Sequence, residues 1–256
     1  MIKPMLPGPV FRGLEMREAR RTSMRFLRQH GVIDLALEVA ERFGYTVQSG
    51  PFAGMKYTRA AVVSRHVTPC LLGTYERQIY PFLLEAALSC EQIVDIGSAD
   101  GYFAVGLARL TSKPLIAFDI DYNERKICQG MAQANGVTVS LRKWCSPEVL
   151  QALALGKRLL ILSDIDGGEI QLFSPNVIRS LRQCDIVVEL HEVSAEANRL
   201  FIDRWRGGTH EVRVLDHPPA EQNPEIVRLA FLGPDAARMA AEYRPYQQWI
   251  TCRGIR

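Results

Sequence analysis

None of the six cysteines in this 256-residue chain stands in a C-x-x-C pair, which removes zinc-ribbon and dithiol redox spacings. Cys70, Cys90, Cys128, Cys145, Cys184 and Cys252 sit mostly in apolar surroundings, a reduced-compartment pattern without a disulfide framework. No apolar run reaches the length of a membrane span, and the opening MIKPMLPGPVF lacks the long apolar stretch of a secretory signal. The expectation is a cytoplasmic protein with no membrane partner. Repeats and low-complexity tracts are absent too, which sets aside solenoids and disordered linkers.

Charge of one sign is concentrated only at the start. Residues 1–30 hold seven basic side chains, Lys3, Arg12, Arg17, Arg20, Arg21, Arg25 and Arg28, against Glu15 and Glu18, whereas the whole chain carries a net charge of +3. No aromatic interleaving accompanies the arginines, so a solvated face or a contact in a homodimer is expected there before a nucleic-acid surface.

What remains is ordinary globular material, 47% hydrophobic and 23% charged, enough for one α/β domain with an extension. Residues 1–70 read as a cap or dimerisation extension, with a basic helix over Met16–His30 and an amphipathic one whose face carries Ile33, Leu37, Ala40 and Phe43. Tyr45–Val47 and Met55–Tyr57 flank a Gly-Pro-Phe-Ala-Gly turn, as in a short hairpin. Residues 71–256 carry the main domain. Its opening segment predicts a helix capped by Thr74, with Tyr75, Ile79, Phe82, Leu83 and Leu88 at helical spacing.

From Gln92 onward short apolar strands alternate with helices. The strands are placed at Gln92–Ile96, Leu115–Asp119, Thr138–Lys143, Leu159–Asp164, Ile186–His191 and Glu211–Leu215, and a closing strand lies within Tyr246–Cys252. A last helix is placed at Ala236–Tyr243 with Asp235 as its cap. This alternation predicts a Rossmann-like, doubly wound, mostly parallel sheet with its ligands at the carboxyl ends of the strands.

The stretch QIVDIGSADGYFAVGLARL, Gln92 to Leu110, reads as buried strand, tight turn and helix start. Gly97 and Gly101 would let a ligand approach bare backbone, and the helix start offers N–H groups to an anion. Ala99 stands where a dinucleotide fingerprint needs its middle glycine, which disfavours a nicotinamide dinucleotide. The next strand ends Ala117-Phe118-Asp119-Ile120, placing an acid where it would accept the hydroxyls of a ribose.

Asp95-x-Gly97-x-x-x-Gly101-x-Phe103 followed by that acid resembles the first two motifs of class I S-adenosylmethionine-dependent methyltransferases. Ala117-Phe118-Asp119, Asp164-Ile-Asp166-Gly167-Gly168-Glu169 and Glu189-Leu-His191, in this order, are more narrowly similar to the FkbM family. The resemblance spans about Tyr75 to Leu215. It implies a seven-stranded sheet with an antiparallel last strand, and S-adenosyl-L-methionine as cofactor. The expected cofactor contacts are Tyr75, Asp95, Gly97, Ser98, Ala99, Gly101, Tyr102, Phe103, Asp119, Ile120, Cys145 and Asp164. Gly168 stands where the family has alanine, Asp166 where it has glutamate, and Ser98-Ala99-Asp100 where Ala-Asn-x is commoner, departures that bear on substrate more than on cofactor.

Catalysis is expected from His191, Asp164 and Glu189, with Asp166, Glu169 and His210 as further strand-end candidates. His191 is the best base by type, since an unperturbed imidazole titrates near neutrality, though it could equally be bonded to a loop carbonyl. Asp164, Asp166 and Glu189 could converge on Mg²⁺, or Asp164 could face the methionine end of the cofactor while Asp166 caps a helix beginning at Gly167. The second is the expectation, with no metal. A [DNS]-P-P-[YFW] loop, which grips a flipped base in N-methyltransferases, is absent after the fourth strand. O-methylation of a hydroxyl on a sugar or small metabolite is therefore the first reading. An RNA methyltransferase using the basic N-terminus and a non-catalytic cofactor-binding protein are the alternatives.

Overall fold

A computed structural model describes residues 22–191, 194–218, 223–242 and 248–255. Most of the basic N-terminal segment, including Arg12, Arg17, Arg20 and Arg21, lies outside the described residues, as do Tyr246 and Gln247. Helices α1 (residues 22–29), α2 (Val32–Arg42), α3 (Arg59–Val62) and α4 (Thr68–Leu72) lead through a 3-10 turn at Arg77–Ile79 to α5 (Tyr80–Ser89). The alternating part comprises β1 (Gln92–Ile96), α6 (Tyr102–Thr111), β2 (Leu115–Phe118), α7 (Tyr122–Ala134), β3 (Ser140–Arg142), α8 (Pro147–Ala154) and β4 (Leu159–Ser163). It continues with α9 (Glu169–Leu172), α10 (Pro175–Ser180), β5 (Asp185–Leu190), α11 (Ala195–Trp205), β6 (His210–Asp216), a 3-10 stretch Ile226–Asp235, α12 (Ala236–Ala240) and β7 (Gln248–Gly254).

The seven strands form one sheet in the order β3-β2-β1-β4-β5-β7-β6. The first five are parallel and β7 runs antiparallel to both β5 and β6, so the fold is the doubly wound, Rossmann-like one that the alternation and the resemblance imply. Strand order reverses between β1 and β4, and a crevice opens at such a switch point, outside the carboxyl ends. β1, β2, β4 and β5 are covered on both faces and read as near-continuous apolar runs; the edge strands β3 and β6 are polar and largely open.

Each face has its own core. Ile93, Leu115, Leu160, Leu162 and Trp249 pack with α2, α4, α5 and α6, whereas Val94, Ile161, Ile186 and Val188 pack with Leu150 of α8, Ile178 of α10 and Trp205 of α11. The first core is continuous with the N-terminal extension. Val32, Val39, Phe52 and Tyr57 share it with Val105 and Leu107, and Phe52 occupies the space above Gly106, where an added Cβ would meet its ring at 2.6 Å.

Four local expectations change. The buried stripe of α2 is Val32, Ile33, Ala36, Val39 and Ala40, with Leu37 and Phe43 only half-buried, because the helix meets α3 and α4 together. The hairpin is reduced to one antiparallel bridge, Thr46 with Lys56. No helix opens at Thr74: α4 ends at the left-handed Gly73, and Thr74 Oγ1 instead accepts from Asn223 at 2.9 Å, while Leu88 of α5 is 67% exposed. Asp235 makes no side-chain cap; it pairs with Arg238 at 2.7 Å. Among the described residues no helix is long and apolar enough to cross a membrane.

Candidate active site

Strand register lines up five positions along the carboxyl edge of the sheet. One step past the last paired residues of β2, β1 and β4 stand Asp119, Gly97 and Asp164, and the same level in β5 and β7 holds Glu189 and Trp249. Pleat alternation turns Asp95 and Glu189 to the face that carries Ile93, Val187 and Trp249. Four of the predicted acids, Asp95, Asp119, Asp164 and Glu189, thereby gather at the switch point.

Both predicted glycines are closed on their Cβ side by neighbouring residues. A Cβ on Gly97 would fall 1.7 Å from the Asp164 carbonyl oxygen, and one on Gly101 2.6 Å from Cys128 Sγ. Both also hold a left-handed φ, +91° and +93°, so glycine is demanded by the crossing of β1 with β4 and by the packing of α7. Ala99 takes a φ of +45° at about 1 kcal/mol of cost for a residue with a side chain.

The helix start is not open either. Tyr102 N–H donates to Asp100 Oδ1 at 3.3 Å, and the Ala104 N–H faces Asp95. Asp119 receives Ala99 N–H at 2.9 Å on Oδ2 and Asp121 N–H at 2.8 Å on Oδ1, which fixes the carboxylate at the tip of β2. Ser98 Oγ and Asp95 Oδ2 are buried without a hydrogen-bond partner. Burial, then the charges of Asp164 and Asp119, push the Asp95 carboxyl up to about 8, so it is protonated at neutral pH.

Two of the expected contacts, Tyr102 and Cys145, are buried. Tyr102 is 1% exposed, its hydroxyl 2.8 Å from that of Tyr80 and its ring edge-on to Phe52, so its side chain belongs to the core. Cys145 is buried beside Ser146, its thiol pushed up to about 12 by burial against the opposing pull of Arg142. Tyr75 is buried against Tyr102 and Phe103, while Phe103 and Ile120 stay half-buried near the loop.

Sequence reasoning did not find what holds the loop from the other side. Asp100 is wholly buried, accepting from Arg65 Nη2 at 2.9 Å and from the Tyr57 hydroxyl at 3.2 Å, and the Arg65 guanidinium lies 5.0 Å from the centre of the Tyr75 ring. The partners are 35 and 43 residues apart, with no motif to link them.

Across the switch point the structure brings His191, Asp164, Asp166, Glu169 and Glu189 together. His191 Nδ1 lies 3.1 Å from Glu169 Oε1; Nε2 lies 3.2 Å from Glu189 Oε2 and 3.5 Å from both Asp164 Oδ1 and Asp166 Oδ1. Burial lowers the imidazole pKa, but Glu169, Glu189 and Asp164 outweigh it and push it up to about 11. In this arrangement His191 is an imidazolium at neutral pH and accepts no proton, which corrects its reading as a base poised near neutrality. Asp166 caps no helix: α9 begins at Glu169 after Gly168 with no side-chain cap. His210 stands at the opposite edge, bonded to the Leu181 carbonyl at 3.1 Å, its pKa lowered by burial.

Beyond Trp249 lies a second group. Trp249 Nε1 donates to the buried Glu76 Oε2 at 2.7 Å, and His217 Nδ1 stands 3.9 Å from both Glu76 and Glu242. Glu76, next in the chain to Tyr75, is thus tied to β7 at the level of Glu189.

No family model matches the sequence, and no curated protein is similar to it. Several solved structures are. An O-methyltransferase from Bacillus cereus in complex with SAH is 12% identical, the match covering 87% of this chain and 90% of that one at a TM-score of 0.47. A precorrin-6y C5,15-methyltransferase from Geobacter metallireducens GS-15 is 15% identical over 72% of this chain and 90% of that one, at 0.46. A SAM dependent methyltransferase from Archaeoglobus fulgidus is 15% identical over 70% and 92%, at 0.42.

Proposed function

We propose that the protein is an S-adenosyl-L-methionine-dependent methyltransferase whose acceptor is a hydroxyl oxygen of a small molecule. The observation that carries this is the row Asp119, Gly97, Asp164 across the switch point of a β3-β2-β1-β4-β5-β7-β6 sheet. The cofactor fits the residues present: Asp119 places a carboxylate at the tip of β2 where a ribose would lie, and Ser98 Oγ and Asp95 Oδ2 are buried polar atoms without hydrogen-bond partners. When bound, the cofactor supplies an electrophilic methyl group on a sulfonium.

The chain's own part is positional. Asp119 orients the sugar, Asp164 faces the amino-acid end, and Glu189 with His191 borders the space where the acceptor oxygen must lie in line with the methyl group. A hydroxyl acceptor must also lose a proton, and Asp164 and Glu189 are the carboxylates placed to take it. The FkbM-like order of the four motifs supports that narrower family, and with it a sugar or small-metabolite hydroxyl as acceptor.

Calorimetry with S-adenosylhomocysteine tests the reading. Wild-type protein should bind it, and Asp119→Ala should weaken binding by about 1–3 kcal/mol through loss of charged hydrogen bonds. Failure of the wild type to bind, or preferential binding of a nicotinamide dinucleotide, would overturn it.

A further inference from the structure

We propose that the outer edge of β6 is a docking surface for a second copy of this chain, the two β6 strands pairing antiparallel across a two-fold axis. The two edges of the sheet differ in length. β3 spans three residues, Ser140–Arg142, whereas β6 runs for seven, His210–Asp216, and pairs on one side only. A long open strand is a template for another strand unless something blunts it.

Which backbone groups face outward follows from the pairing with β7. Ile255 N–H donates to the Thr209 carbonyl at 3.3 Å, one step beyond the His210–Gly254 pair, so Thr209, Glu211, Arg213 and Leu215 turn their backbone groups to β7. His210, Val212, Val214 and Asp216 turn theirs outward, where no other strand or loop among the described residues supplies a backbone partner.

Charge then selects the register. Glu211 and Arg213 are exposed, share one face of the strand and make no ion pair among the described residues; Arg253, opposite Glu211 on β7, turns to Glu85 and Asp185 instead. With Val212 on the two-fold axis, Glu211 of each copy stands opposite the partner's Arg213. These positions lie between the backbone bonds of the new pairing, where opposed side chains come closest. Moving the axis to Glu211 or to Arg213 would set like charges against each other.

Val214, 37% exposed on the side where α11 packs, and Leu200 of α11, 58% exposed, give that edge apolar area to bury. The pairing also closes on itself, because the joined sheet ends in two β3 edges too short to recruit further strands. The inference is independent of the methyl-transfer reading.

Analytical ultracentrifugation of the full-length protein from about 1 to 100 μM tests it. The wild type should dimerise. Glu211→Arg and Arg213→Glu each bring like charges together in both cross-strand pairs and should weaken dimerisation at least tenfold. Mixed in equal amounts, these two variants should form a heterodimer, since one copy then carries only basic and the other only acidic side chains at the two positions. The double variant Glu211→Arg/Arg213→Glu should return to within about threefold of wild type. Both side chains are exposed, and circular dichroism confirms that each variant is folded. Amide hydrogen exchange at Val212 and Val214 should slow as the dimer forms. A wild type that stays monomeric, a dimer indifferent to both charge reversals, or a mixture that fails to heterodimerise would overturn the proposal.

Discussion

Two polar groups grip the strand tips from opposite sides, and their charges are balanced differently. At the glycine loop one carboxylate, Asp100, meets one guanidinium, Arg65, and one phenol, Tyr57, all provided by the chain itself. At the tips of β4 and β5 one imidazole meets four carboxylates. A group that closes its own charge is a fastening; several carboxylates around one imidazole carry surplus negative charge. Tyr57 and Arg65, from the residues before α5, thus hold the glycine loop through Asp100.

The largest effect that would break this contrast comes from the fastening. Arg65→Ala leaves the Asp100 carboxylate buried and unpaired, and should destabilise the protein by about 3–5 kcal/mol in urea unfolding. Replacing Arg65 and Asp100 together by alanine should cost less than adding the two single effects. Additive losses would mean that the pair is not coupled and the contrast false.

The next effect is on the same side. Burial, with Arg65 and Arg238 adding to it against a hydrogen bond to the Met239 backbone, holds His66 down at about 4. The unfolded chain takes up this proton near pH 6.5 and the folded one only near 4, so stability is fully present above 6.5 and falls as pH drops to 4. About 2–3 kcal/mol should be lost over that window, and His66→Gln should flatten this part of the pH profile. An unchanged profile in the variant would show that His66 titrates normally.

The two sides also differed in how far the sequence revealed them. Strands β1, β2, β4 and β5 are local apolar runs, and Asp119, Asp164, Glu189 and His191 follow from where those runs end, so the acid row was readable in order. The fastening was not, because Tyr57, Arg65 and Asp100 belong to no periodic pattern and meet only when the extension packs on α6. Gly97 has a second reason to be glycine that the motif did not show, since the carbonyl its Cβ would meet belongs to Asp164, 67 residues later. His191 was judged by its type, whereas its protonation is set by Glu169, Glu189 and Asp164, whose convergence depends on the turn after β4. Tyr102 fell in a motif, and helical phase alone sends it to the core.

The smallest effect sharpens the contrast by its sign. Asp166 is 68% exposed, and although its Oδ1 lies 3.5 Å from the imidazolium of His191, it also shares that ring with Asp164, Glu169 and Glu189. In metal-free protein its neighbours are net negative, so removing its charge relieves more repulsion than the attraction it forfeits. Solvent screening at this exposure limits the gain. Asp166→Asn should therefore raise stability by about 0.5 kcal/mol without added metal, in contrast to the loss at Arg65. Thermal unfolding of both proteins with chelator reads the sign. A variant less stable than wild type under chelator would mean that Asp166 is already balanced, as Asp100 is, and the two sides of the cleft would then be built alike.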